Sequence, residues 1–195
     1  METPRPVSAL ALGLSAFALN LFLVSITLTG VVPSKAFPVF LASGFFYGFV
    51  QILVGLHEYR IGSPFTGLVF GSFGAFWMST ALLVLLQSTG TLSFGDAAGT
   101  ALGLYFVAWT IFTSYLWVAS FTANRTAWLV FSVLIVALVL FDLAQFGVVP
   151  IAYGAWAGVL DALLAWYMAA ALVLNEMYGR TILPLGDPLV QVGEG

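Results

Sequence analysis

The sequence predicts an all-α integral membrane protein, with six transmembrane helices in a tightly packed bundle. Three observations predict it. Of the 195 residues, 62% are hydrophobic and 7% carry a charge, whereas soluble domains are roughly half apolar and about a quarter charged. The apolar residues fall in six runs of about 20 or more, enough to cross a hydrocarbon core about 30 Å thick. The connections between the runs are short, so residues 1–195 read as one membrane domain without a soluble one. The mean hydropathy of +1.09 agrees with this.

The first run, 7–29, is too long for a signal-peptide core and lacks a convincing A-x-A cleavage site, so it reads as a retained helix. The second, 37–59, holds Gly44 and Gly48 in a G-x-x-x-G, with Gly55 seven residues on. The third, 65–87, has Gly67, Gly71 and Gly74. The fourth, 99–121, has Gly99 and Gly103. The fifth is 126–146. The sixth, 151–175, has Gly154 and Gly158. Small residues on one face let helix backbones approach closely in lipid, which predicts the tight packing. Ala11-Leu12-Gly13-Leu14 recurs as Ala101-Leu102-Gly103-Leu104, a pattern compatible with a three-plus-three inverted repeat. Residues 180–195, with Pro184, Gly186, Pro188 and Gly193, read as a loosely ordered tail.

Loop charge orients the bundle. With six spans, both termini and the second and fourth loops share one side, which carries Arg5, Arg60, Arg125 and Arg180. The opposite side carries Lys35 alone. The bias predicts a multi-pass protein of the cell membrane with both termini cytoplasmic.

The polar residues at depth carry the most information. At about 1.5 Å per residue, Asn20 and Asp161 fall near the midplane and Gln51 in the cytoplasmic half. Gln51 shares a face with Gly48 and Gly55, and Asp161 shares one with Gly158. An Asp at the bilayer centre costs about 2.5–3.5 kcal/mol, so none of the three should face lipid. Two readings stand side by side: Asn20, Gln51 and Asp161 line a solute path, or they form interhelical hydrogen bonds worth about 0.6 kcal/mol on average. A buried carboxyl is costly unless protonated or partnered, which tilts Asp161 toward function. As a neutral acid Asp161 would donate to a solute; as an anion it would exclude carboxylates. His57 and Glu58 sit at the cytoplasmic end of the second run, where solvation explains them, and a proton relay is the other reading.

Several classes are excluded. The single lysine lies in a loop, where no retinal Schiff base forms. The absence of cysteine removes disulfides and thiolate metal sites, and one histidine leaves too few ligands for haem or a redox metal. Gly71-Ser72-Phe73-Gly74 is not G-x-S-x-G, and no phosphate loop is present. An enzyme, a cofactor and a bound metal are therefore not expected. The net charge of −3 comes from few groups and argues against nucleic acid. Passive or ion-coupled movement of a small solute remains.

The stretch Gln51-Ile52-Leu53-Val54-Gly55-Leu56-His57-Glu58-Tyr59-Arg60-Ile61-Gly62-Ser63 resembles the Q-I-x-A-G-L-x-E-Y-x-x-G-N signature of the acetate uptake transporter family. Phe70 and Gly71-Ser72-Phe73-Gly74-Ala75-Phe76-Trp77 are similar to its F-x-S-Y-G-x-F-W. Trp156-Ala157-Gly158, Ala165-Trp166-Tyr167, Leu174-Asn175-Glu176 and the run Gly179 to Gly186 resemble its W-x-G, A-W-Y, L-N-E and G-R-T-x-L-P-x-G. The motifs occur in order over nearly the whole chain. The family's N-P-A-P-L-G-L motif is replaced by Thr3-Pro4-Arg5-Pro6-Val7-Ser8-Ala9.

The resemblance implies a homohexamer with one pore per subunit for acetate and related small monocarboxylates, acting as a channel or by proton symport. It implies a constriction of three residues, which motif matching places on Leu12, Phe73 and Val133. Each lies about 10 Å from the cytoplasmic end of its helix. The alternative is a channel for a small neutral solute such as an amide, urea or ammonia.

Overall fold

The computed structural model describes residues 7–191. The described residues form six long helices and no strand: α1 (Leu10–Leu28), α2 (Pro38–Arg60), α3 (Pro64–Ser88), α4 (Ala98–Ala119), α5 (Arg125–Gln145) and α6 (Ile151–Tyr178). Each is long and apolar enough to cross a membrane. Without water in the hydrocarbon core, a backbone must satisfy its own polar groups, and a helix does so within one segment. α1 begins three residues later than the apolar run, and α6 runs three residues beyond its own.

The helix ends have identifiable causes. Pro38 and Pro64 stand in the first turns of α2 and α3, where a missing N–H costs nothing. Asn124 caps α5, its side chain accepting from the Ala127 amide at 2.9 Å. Gly179 ends α6 in the left-handed region, at φ 61°, a conformation that glycine adopts without steric cost.

The helices stand in a ring in chain order, alternating in direction. α1 packs between α2 and α6, α2 against α3, and α5 between α4 and α6. The α2–α3 contact is made through glycine. A methyl group at Gly48 would lie 2.9 Å from the Gly74 carbonyl oxygen, and one at Gly55 would run into the backbone of Gly71. Gly158 packs on Ser25 in the same way, joining α6 to α1. The α3–α4 seam is closed by side chains. Tyr105 bonds Ser79 at 2.8 Å and Thr80 at 2.9 Å, and Trp109 meets Phe76 with ring centroids 4.9 Å apart.

One face of the ring, here called the terminal face, holds the start of α1 and the end of α6, with Arg60, Arg125 and Arg180. Lys35 lies at the opposite, distal face. Arg5 and the replaced motif residues Thr3 to Pro6 lie outside the described residues.

The tail departs from the sequence expectation. Residues 181–190 are not loose but strapped across the terminal face. Asn175 accepts from the Ile182 and Leu183 amides at 2.6 and 3.0 Å and donates to the Leu183 carbonyl at 2.9 Å. Tyr167 donates to the Pro184 carbonyl at 2.8 Å. The Leu185 carbonyl accepts from both the amide and the hydroxyl of Thr126, each at 2.9 Å. Helix α5 opens with amides that have no partner in their own helix, and the strap supplies acceptors. Residues 192–195 lie outside the described ones.

Candidate functional site

Two chambers lie end to end inside the ring, the distal one lined mainly by α1, α3, α4 and α5 and the terminal-side one by α1, α3 and α5 with Met168 of α6. The distal chamber has a volume of about 170 Å³ and the terminal-side chamber about 60 Å³. Phe17, Phe73 and Leu134 line both and thus stand at the junction. Neither lining includes a charged side chain.

The ring at the junction follows from helix geometry. On α1 the lining residues are Leu10, Leu14, Phe17, Leu21, Val24 and Leu28, a spacing of three or four that keeps one face inward. Phe73 is 2% exposed and meets Phe17 edge-on, with centroids 5.5 Å apart. Trp109 and Phe112 of α4 hold its other side at 5.9 and 6.0 Å. Leu134 supplies the α5 member and is 4% exposed.

Two of the three expected constriction residues lie away from the junction of the chambers. Leu12 is 52% exposed on the outer surface of α1, because it lies about 140° around the helix from Phe17. Val133 is half-buried and lines neither chamber; the next residue, Leu134, turns about 100° further and does. Phe73 alone of the three stands at the junction. The α1 and α5 residues that line the junction, Phe17 and Leu134, stand five and one positions further along the chain than Leu12 and Val133.

The expected path residues are fully buried, but none lines a chamber. Asn20 accepts from the Ser43 hydroxyl, tying α1 to α2. Gln51 donates to the Gly13 carbonyl at 3.3 Å in the same interface. Asp161, on the α6 face that carries Gly158, has no hydrogen-bond partner for either carboxyl oxygen among the described residues. Depth follows from position along a helix, whereas lining depends on direction around it.

Glu58 is also more than a solvated helix end. It is 1% exposed and accepts from Ser8 Oγ at 2.9 Å, the Ala9 amide at 2.7 Å and Thr66 Oγ1 at 2.8 Å. One carboxylate thus caps α1, ends α2 and anchors α3, and Thr66 lines the terminal-side chamber. Beside it, the His57 ring is bonded to the Val7 carbonyl at 2.8 Å.

Residues 3–185 match the GPR1/FUN34/yaaH family over nearly the whole chain. The chain belongs to that family. The GPR1/FUN34/yaaH members similar to it include the succinate-acetate/proton symporter SatP of Escherichia coli K12, 32% identical over 194 residues, which cover 96% of each chain. The acetate permease A of Emericella nidulans is 30% identical over 201 residues, covering 95% of this chain and 67% of that one. The ammonia transport outward protein 2 of Saccharomyces cerevisiae is 32% identical over 185 residues, covering 86% and 63%. The solved structure of the bacterial acetate channel SatP superposes with a TM-score of 0.82 at 30% identity, covering 95% of this chain and all of that one. The six-helix ring is thus the fold of this family, and the multi-pass membrane character follows with it.

Proposed function

We propose that the chain moves acetate and related small monocarboxylates across the cell membrane, through a pore within each subunit that is narrowed at Phe17, Phe73 and Leu134. The observation that carries this reading is the pair of uncharged chambers meeting at those three side chains, in a fold shared with an acetate channel. The chemistry limits how a carboxylic acid crosses. Burying a lone carboxylate in an apolar site costs on the order of tens of kcal/mol, so it passes hydrated or as the neutral acid. Proton-linked movement fits the second route. The placement of Arg60, Arg125 and Arg180 supports cytoplasmic termini. A homohexamer, each subunit with its own pore, is part of this reading. Relatives that are transporters and channels support a transport protein rather than an enzyme.

The second reading, ammonia or another small neutral solute, is favoured by the ammonia transport relative and by the same uncharged junction. Solute flux into proteoliposomes tests both, with acetate, propionate, succinate, acetamide and ammonium compared at equal driving force. Acetate and propionate should move fastest and succinate slowly. Succinate faster than acetate contradicts the apolar constriction, and ammonium flux without acetate flux selects the second reading.

A further inference from the structure

The strap meets the wall of the terminal-side chamber. Leu10, Thr66 and Ala127 lie in the first turns of α1, α3 and α5 and mark the terminal end of that chamber. The Leu185 carbonyl holds Thr126, the residue before Ala127. The Leu185 side chain is half-buried and packs against a cluster in which Leu14, Phe70, Ala127 and Met168 also line the chamber. Leu185 therefore stands at the terminal end of the chamber.

The strap is held from outside only. Among the described residues, no backbone hydrogen bond joins two of residues 181–190. On the α6 side, the Asn175 side chain grips residues 182 and 183. On the α5 side the chain turns at Gly186, φ 74°, whose carbonyl accepts from the Arg125 amide at 3.4 Å. The Val190 amide then donates to the Phe121 carbonyl at 3.0 Å, in the connection between α4 and α5. Leu183 and Leu185 are half-buried and the rest of the strap is exposed. Segments with few buried apolar contacts and exposed backbone bonds open at low free energy, and the lids of binding sites are drawn from them.

We propose that residues 185–190 are a gate at the terminal end of the path: Leu185 closes the terminal-side chamber, and the solute passes when this half of the strap lifts from Thr126 and Phe121 while Asn175 keeps the other half on α6. The proposal rests on the reading of a pore within each subunit and holds for either solute class. An apolar plug suits an apolar chamber, because a seated Leu185 keeps the closed path dry. A gate and a mere clamp differ in one respect. Fixing a clamp in place leaves flux as it was, whereas fixing a gate stops it.

The chain has no cysteine, so a reactive pair can be introduced without background. Arg125 and Asp187 are both exposed, on either side of the Arg125–Gly186 backbone contact. The full chain carrying Arg125→Cys and Asp187→Cys is bridged in detergent with a short bis-methanethiosulfonate, which forms a disulfide to each thiol, and is then reconstituted in proteoliposomes. Bridging should bring acetate flux down to that of protein-free vesicles, and a permeant reductant should restore it. The two single-cysteine variants, treated alike, should keep their flux. Leu185→Ala, which loosens the seat, should raise flux several-fold; a clamp so weakened would leave flux unchanged or lower. Protein whose bridge is confirmed by mass and which still carries acetate at the unbridged rate overturns the proposal and leaves the pore reading standing. A parent that carries none of the solutes overturns the pore reading, and the proposal with it.

Discussion

Phe17 meets Phe73 edge-on, 5.5 Å between centroids and 75° between ring planes, and this contact divides the interior of the bundle in two. One ring comes from α1 and the other from α3, helices that otherwise make few contacts because α2 packs beside both. The division therefore rests on side chains rather than on backbone.

Truncating one of those rings should open the path. Phe73→Ala is expected to raise acetate flux several-fold, and Phe73→Tyr to change the order of solutes more than the rate. Leu12→Ala should do neither, since Leu12 lies on the outer surface. Flux assays on the three variants check the assignment. An effect at Leu12 equal to that at Phe73 would restore the motif-based register.

Asp161 lines no chamber and has no hydrogen-bond partner among the described residues. Asp161→Asn keeps its shape and is expected to leave acetate flux within about twofold of the parent. Thermal unfolding in detergent should show equal or higher stability, since an unpaired buried carboxyl is a cost of several kcal/mol. A tenfold loss of flux in a well-folded variant, or a flattened pH dependence, would tie Asp161 to transport.

The glycine contacts are directional. A methyl group at Gly71 would meet nothing within 4 Å, whereas one at Gly55 would strike the Gly71 backbone. Gly71→Ala should therefore be tolerated, and Gly55→Ala should cost about 1–3 kcal/mol as an overpacked site. Thermal unfolding of the two variants, side by side, separates packing from a general intolerance of glycine replacement.

Glu58 holds three helix ends with one carboxylate. Glu58→Ala should free the start of α1, because hydrogen bonds to a charged group are worth about 1.5–3 kcal/mol each when removed. Faster amide exchange at residues 8–14, with the distal half of α1 still protected, is the expected result. Uniform exchange along α1 would show that the helix start is held by packing instead.

Orientation can be checked in the same membranes. Asp187→Cys lies on the strap at the terminal face and Ser93→Cys between α3 and α4 at the distal one. In intact cells an impermeant thiol reagent should reach Ser93→Cys and not Asp187→Cys. The reverse would invert the cytoplasmic assignment.

The sequence made the helices legible because lipid imposes a single demand, a run of apolar residues whose backbone bonds itself. The glycine faces were legible for a related reason, since close approach needs small residues whatever surrounds them. Gly44, Gly48 and Gly55 do meet α3. The direction around each helix was not legible. Lipid, core and chamber are all apolar here, so Leu12 and Phe17 read alike, and so do Val133 and Leu134. The partners of the polar residues were not legible for a different reason. Asn20 and Gln51 have partners in Ser43 and Gly13, which lie 23 and 38 residues away. Spacing within one helix carries no trace of them.

The strap over the start of α5 has a consequence for biosynthesis. The Leu185 carbonyl that satisfies Thr126 lies 59 residues further along the chain. At about 5–20 residues per second of translation, several seconds separate the appearance of α5 from that of its acceptor. Through that interval the opening amides of α5 depend on water or headgroups at the bilayer surface. The ring is thus closed last at this face, and a nascent chain that stalls before Leu185 keeps the Asn124 cap of α5 but leaves the Arg125 and Thr126 amides without their strap acceptors.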